Sequence, residues 1–388
     1  MDDTGTGLNT VTQDQVPFLG YPSSRQDDPG HLQCLIYLIP GNPGLIAYYE
    51  PFMKTLRQLL DEKEAVAGCR HAFHIYGRNL LGFQDGDHSP AFGTTTTSGT
   101  KTEPFTLEDQ IRDVSDHLQQ LNTSTLKTGQ TFDQVILIGH SVGAYITLEL
   151  FHRHHHARRV LHTTPTTTSN PPPDPLGTVP LTAAILLFPT ISHIARSRSG
   201  QKLDLLRTTP FLDRAAHHIA KRFVDLCPGW LLSAVVRRVM GFPAHAVGAT
   251  LQFLASRDGI WQALHLGKDE MRVIGEERWG EEMWVVQEMV EEEAEEEEGE
   301  DEGGVRGREG GEGKAGLGRT KFIFYFAERD HWVADECRDE FIERRRRQEK
   351  GRARVVVDEG GVPHAFCIHH SEFVAEKVKG WIGDIAGL

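Results

Sequence analysis

The chain has 388 residues, 39% hydrophobic and 25% charged, with a formal net charge of -14. That length holds one large domain with insertions or two modest ones. The acidic balance, with no basic stripe carrying interleaved aromatics, excludes a nucleic-acid binder.

The charge is unevenly spread. Residues 291–302 are almost all acid, and a Gly/Glu/Arg stretch follows through 318. Without that segment the chain comes nearer neutrality, so its acidity says little about a substrate. Cys34, Cys69, Cys227, Cys337 and Cys367 are scattered singly. They offer neither a disulfide framework nor a zinc site, and they fit a reducing compartment. The start, Met1-Asp2-Asp3, opens no basic region followed by an apolar core. No apolar run reaches membrane-spanning length, so any contact with a membrane is expected to be peripheral.

In chain order, residues 32–39 read as a buried strand ended by Pro40-Gly41-Asn42-Pro43-Gly44. Residues 47–60 follow as an amphipathic helix, with Tyr48, Phe52 and Leu56 at helical spacing. Residues 71–76 are a second strand, and 82–103 a Gly/Thr/Ser/Pro-rich loop. Thr106 N-caps a helix to Leu121, with Asp109 at the capping-box position. Then come a β-branched strand from Phe132, a Gly-Ser-Gly turn and a helix. Residues 179–188 and 321–326 are further strands, 333–349 a charged helix, 354–357 a short strand and 371–382 a final helix.

Strands alternate with helices, and the strands are continuous apolar runs. That is the pattern of an α/β fold with a mostly parallel sheet covered on both faces. The alternation lapses before residue 321. The expected organisation is a polar N-terminal tail (1–30), a core from 31–189 and 319–388, a helical cap insertion (190–290) and an acidic, Gly-rich disordered segment (291–318).

The turn after the central strand reads Gly139-His140-Ser141-Val142-Gly143. G-x-S-x-G between a strand and a helix forces the serine into a strained backbone with its hydroxyl exposed above the sheet. The glycines remove side chains that would collide with the neighbouring elements. The N–H of Val142 is left at the first turn of a helix, where it can meet developing negative charge. A dinucleotide loop or P-loop would need G-x-G-x-x-G or a Lys-Ser/Thr, and both are missing.

A serine nucleophile needs a base oriented by a carboxylate, in the chain order Ser, acid, His. Asp330 lies just past the strand 321–326, before His331-Trp332; Glu328 and Asp358 are its rivals. His364 follows the last strand and the turn 358–363. The second oxyanion donor is expected from the loop after the first strand, at the N–H of Asn42, where flanking prolines stiffen the turn. His140 reads as a packing residue rather than a second base. The tract His152, His154, His155 and His156 reads as a polar helix face. No H-E-x-x-H or comparable cluster calls for a metal, and no cofactor is implied.

These motifs resemble those of the lipid droplet-associated hydrolases, a subfamily of α/β-hydrolases. The resemblance rests on Leu38-Ile39-Pro40-Gly41-Asn42-Pro43-Gly44, Tyr49 and Phe52, and on Gly139-His140-Ser141-Val142-Gly143-Ala144-Tyr145. It continues through Leu187-Phe188-Pro189-Thr190-Ile191, Asp330-His331-Trp332 and Pro363-His364-Ala365-Phe366. It implies an α/β-hydrolase fold and a triad on Ser141, Asp330 and His364. It also implies a lipase or sterol esterase acting on sterol esters or triacylglycerols, located at lipid droplets with cytosolic or endoplasmic reticulum pools. A Thr-rich loop near 94–100, a Thr/Pro insertion at 163–178 and the acidic tract depart from that pattern and suggest a fungal-type member. A droplet-surface adaptor, a soluble-ester hydrolase and an acyltransferase on the same fold stay open as alternatives. The expected lipid anchor is residues 223–242, where Trp230, Leu231, Leu232, Val235, Val236, Val239 and Met240 mix with Arg237 and Arg238.

Overall fold

Strands of seven or eight residues, mostly apolar and mostly buried, build the centre of the molecule. In the computed structural model, Leu32–Ile39 (β2), His71–Arg78 (β3), Gln134–His140 (β4), Leu181–Leu187 (β5) and Lys321–Ala327 (β6) are buried along most of their lengths. Strands buried on both faces need cover on both. The structure describes residues 17–388 apart from 29, 96–98, 124–130, 164–175, 281–282, 284–320 and 348–352. The expected acidic segment therefore lies outside the described residues, as does most of the Thr/Pro insertion.

Phe18–Tyr21 (β1) and Ala353–Asp358 (β7) complete a seven-stranded sheet of order β1-β3-β2-β4-β5-β6-β7. Every neighbouring pair is parallel except β1–β3, which runs antiparallel with Leu19 opposite Gly77. The N-terminal tail expected through residue 30 thus contains a strand. Four residues flanked by polar sequence gave no periodic signal, and an edge strand needs apolar contact on one side only.

Helices Glu50–Glu64 (α1) and Leu107–Thr123 (α2) lie between the early strands, and Val142–Thr163 (α3) follows β4. The first begins later than the expected 47, because Ile46–Tyr49 forms a 3-10 turn first. Pro51 sits in its first turn, where a missing N–H costs nothing. The capping box of α2 forms: the Thr106 N–H donates to Asp109 Oδ2 at 2.8 Å, and the Asp109 N–H donates to Thr106 Oγ1 at 3.2 Å. The strand expected at 179–188 spans Leu181–Leu187, and it stops there because Phe188 turns left-handed at φ 47°.

Between β5 and β6 run Arg198–Thr208 (α4), Pro210–Leu226 (α5), Gly229–Ala234 (α6), Ala244–Ala255 (α7) and Gly259–Val273 (α8), with a π-helical turn at Val235–Val239. After β6 come Asp335–Arg347 (α9), Phe366–His369 (α10) and Ser371–Ala386 (α11). Helices α1 and α11 pack together as one pair and α2 and α3 as another. The core they share includes Phe52, Leu56, Ile136, Ile138, Ile146, Leu186 and Phe324, all fully buried. Each such side chain contributes roughly 1.5–3 kcal/mol relative to exposure. The loops after β2, β4, β6 and β7 all leave from the carboxyl ends of parallel strands, where open α/β sheets gather their chemistry.

Candidate active site

Ser141 follows the last residue of β4 and has φ 54°, the left-handed region that a non-glycine residue rarely enters. Its neighbours hold it there. The Ser141 N–H donates to the Leu187 carbonyl at 3.1 Å, and its own carbonyl accepts from Ala144 at 3.0 Å. The flanking glycines are required by contact. A Cβ on Gly139 would stand 2.4 Å from the Gly143 carbonyl oxygen, and one on Gly143 would stand 2.2 Å from the Ile39 carbonyl oxygen.

His364 and Asp330 reach the serine from the loops after β7 and β6. The Ser141 hydroxyl donates to His364 Nε2 at 2.9 Å, and His364 Nδ1–H donates to Asp330 Oδ2 at 2.6 Å. That tautomer follows from Asp330 being an acceptor. Its other oxygen accepts the Trp332 N–H at 2.8 Å. The Asp330 side chain is only 2% exposed. Burial works against its charge, but His364, the Trp332 N–H and the nearby His331 outweigh that and hold the carboxyl below its usual range. The rival acids lie elsewhere. Glu328 is exposed. Asp358 is buried and occupied by the Tyr325 hydroxyl and the Val362 N–H, so it fixes the turn that carries His364 rather than meeting the ring.

The loop 40–44 lies directly against the serine. A Cβ on Gly41 would fall 3.0 Å from Ser141 Cβ and 3.0 Å from His140 Nδ1. Val142 opens α3. Among the described residues, the backbone N–H groups of Asn42 and Val142 have no protein acceptor. Thus the five residues expected from the sequence all border one place.

Three further groups belong to this place and were not assigned these roles from sequence. His140 is 5% exposed. Its Nε2–H donates to the His364 carbonyl at 2.9 Å, so Nδ1 must accept, and the Tyr49 hydroxyl donates to it at 2.6 Å. The Tyr49 oxygen in turn accepts the Gly41 N–H at 2.9 Å. Burial and the neighbouring His364 push the His140 pKa down to about 3, which keeps the ring neutral. It is more than packing: one imidazole ties the 40–44 loop, through Tyr49, to the loop of His364. The x position of G-x-S-x-G and the nearby Tyr49 were visible in the sequence, but their mutual contact was not. The third group is Glu270 on α8, which accepts from Asn42 Nδ2 at 3.1 Å. Burial pushes its pKa up to about 8, the Asn42 donor opposing and Asp269 adding to the shift. A single glutamate in an amphipathic helix carries no signal of such a position.

The expected histidine tract lies on α3, away from the elbow. Among the described residues no cluster of His, Cys, Asp or Glu is arranged to hold a metal ion.

A left-handed serine between a parallel strand and a helix, with an imidazole and a buried carboxylate beyond it, makes this an α/β-hydrolase. The peroxisomal alpha-beta-hydrolase Lpx1 of Saccharomyces cerevisiae shares that fold, with a TM-score of 0.52 at 13% identity over 95% of this chain and 81% of that one. More narrowly, the chain belongs to the lipid droplet-associated hydrolase family, whose sequence profile matches residues 32–367. It is similar to the lipid droplet-associated hydrolases of Gallus gallus, 24% identical over 370 residues (93% of this chain, 88% of that one), and Mus musculus, 25% identical over 369 residues (93% and 88%). The Dictyostelium discoideum protein of the same description is 20% identical over 363 residues, 92% of this chain and 90% of that one.

Two outcomes follow from the buried polar groups. Tyr49→Phe leaves the Gly41 N–H and His140 Nδ1 unpartnered and is expected to cost about 1–3 kcal/mol of stability, read by denaturant titration. For Glu270 the sign is set by a folded pKa of about 8 against an ordinary 4.5. Below 4.5 both states hold the proton and burial costs nothing through ionisation. As pH rises, the unfolded chain ionises first, so stability falls until the folded pKa is passed. Glu270→Gln should therefore raise the melting temperature over wild type far more at pH 8 than at pH 5, the gain at pH 8 being at most about 4 kcal/mol. Equal shifts at the two pH values would refute this.

Proposed function

We propose that the protein is a serine esterase that cleaves acyl esters of apolar lipids, of the sterol ester or triacylglycerol type, at a lipid droplet surface. The observation that carries the reading is the continuous hydrogen-bonded chain from Ser141 through His364 to Asp330 at a strained elbow. The family description supports the lipid setting.

In this mechanism Ser141 Oγ attacks the ester carbonyl carbon while its proton passes to His364 Nε2. The N–H groups of Asn42 and Val142 hold the oxyanion, and Asp330 stabilises the imidazolium through Nδ1–H. Collapse expels the alcohol, which takes the proton from His364. Water then gives a proton to His364, attacks the acyl-enzyme and releases the carboxylic acid, restoring Ser141. No cofactor enters.

The surface supports a peripheral encounter with lipid. No helix among the described residues is long and apolar enough to cross a membrane. Yet Phe211, Ile219, Phe223 and Leu226 share one side of α5 and are exposed by 73%, 55%, 69% and 84%. Trp230, Val235, Val239 and Met240 continue that exposure past Pro228, beside the exposed Arg222, Arg237 and Arg238. Such a ridge inserts apolar side chains below headgroups that the arginines meet. Within the anchor expected at 223–242 the faces now separate: Val236 is buried and Leu232 half-buried, so those two face the protein.

Ser141→Ala is expected to abolish labelling by a fluorophosphonate in a folded protein, and His364→Ala to lower turnover of a soluble ester on the order of 10³-fold or more. Unchanged labelling at equal protein level would rule out Ser141 as the nucleophile. For the surface, Trp230→Asp with Val239→Asp should lose binding to phospholipid-coated triacylglycerol droplets while keeping soluble-ester turnover. Undiminished binding in the folded double variant contradicts the outward ridge.

A further inference from the structure

We infer that the side chain of Asn42 latches the oxyanion-side loop to α8, and that Glu270 is a positioning residue for that loop. The inference rests on the proposed reading of the Asn42 N–H as an oxyanion donor and adds what fixes its place.

The geometry is that of a built socket. Asn42 Nδ2 donates to the Ala263 carbonyl at 3.0 Å and to Glu270 Oε1 at 3.1 Å, so both of its hydrogens are used. Both acceptors are oxygens, which fixes the orientation of the amide. Ala263, Gly267 and Glu270 recur on one side of α8 at helical spacing. The middle position is bare. A Cβ on Gly267 would stand 3.5 Å from Asn42 Nδ2 and 2.9 Å from Leu203 Cδ2, so the amide and Leu203 together fill the space that a side chain would take.

Glu270 itself is 5% exposed. A carboxyl so placed carries a desolvation cost that a leucine would avoid. Packing alone gives no reason for it, and its described side-chain partner is the amide of Asn42. The acceptor holds in either protonation state, since a protonated carboxyl keeps its carbonyl oxygen. On the other side the same loop is held by the Gly41 N–H on Tyr49. Clamped from both sides, the Asn42 backbone N–H is set before substrate arrives, which is the condition for an oxyanion donor to lower a barrier.

The test compares Glu270→Leu, Glu270→Gln and Asn42→Ala in the full chain, using a short-chain p-nitrophenyl ester. Glu270→Leu removes the acceptor and the desolvation cost together. It should melt no lower than wild type, yet lose roughly tenfold to a hundredfold in kcat with KM changed by no more than about twofold. Glu270→Gln keeps an oxygen acceptor and should recover most of the kcat. Asn42→Ala retains the backbone N–H but deletes the latch, and should lose kcat like Glu270→Leu; it carries the test if the leucine variant does not fold. Wild-type kcat in Glu270→Leu or Asn42→Ala overturns the latch. So does equal loss in the leucine and glutamine variants, which would make charge rather than an acceptor the requirement. Ser141→Ala is assayed in parallel. If it still turned over the ester, the reading of the site would fail, and the latch with it, by an outcome distinct from those of the Glu270 pair.

Discussion

The site depends on how closely three backbone segments meet at the end of β4. The carbonyl oxygen of Ile39 lies where any Cβ on Gly143 would be 2.2 Å away, and the carbonyl of Gly143 does the same to Gly139. A helix can follow the strand this tightly only if both positions lack side chains, and the serine between them is then turned to φ 54°. Strain of this kind costs of order 1–3 kcal/mol and persists because the surroundings over-determine it. Here they do so with hydrogen bonds on both sides of the peptide, from Ser141 to Leu187 and from Ala144 to Ser141. The hydroxyl is delivered to an imidazole rather than found by a flexible loop.

Around that elbow the polar groups are bonded in series, not in parallel. The Gly41 N–H, the Tyr49 hydroxyl, the His140 ring and the His364 carbonyl form a single chain. In a low-dielectric interior each member polarises the next, and removing either inner member leaves two groups unpartnered. Phe188 and Phe366 pack edge-on against the same ring, with centroids 6.1 Å and 5.1 Å from it. The imidazole therefore has one orientation and one tautomer. Glu270 is the opposite case, a group whose burial the fold carries at some cost in stability.

What the sequence disclosed follows from how local each signal is. The strands were legible because a strand buried on both faces needs an unbroken apolar run, as in Leu35, Ile36, Tyr37, Leu38 and Ile39. The elbow was legible because its steric demand falls on five consecutive residues. Asp330 and His364 could be singled out because each sits where a strand gives way to a loop, and they are hydrogen-bonded to one another; their catalytic role is our proposal. Edge strand β1 was not legible, since Phe18–Tyr21 is too short to show a period. Nor was the partner of Asn42, because positions 228 residues apart are joined only by tertiary packing. The same limit applied to residues 223–242. Their composition announced an amphipathic segment, but only the fold divides Trp230 and Val239, which face outward, from Val236, which faces in.

That division links the surface to the site by direct contact. Helices α4 and α5 both pack on α8, and α5 presents the exposed row from Phe211 to Leu226. The Lys268 ammonium of α8 donates to the Asp213 carboxylate of α5 at 2.8 Å, two residues before Glu270. The helix whose outer side is proposed to meet lipid thus rests, on its inner side, against the helix that accepts from Asn42. Packed helices move as rigid bodies by ångströms rather than deforming continuously. In the proposed mechanism the oxyanion donor Asn42, whose side chain is bonded to α8, is consequently sensitive to the position of α5, while Ser141, His364 and Asp330 follow strands of the sheet and are not. In that proposed mechanism the sheet sets the nucleophile and its base, and the inserted helices set the geometry of the group that receives the negative charge.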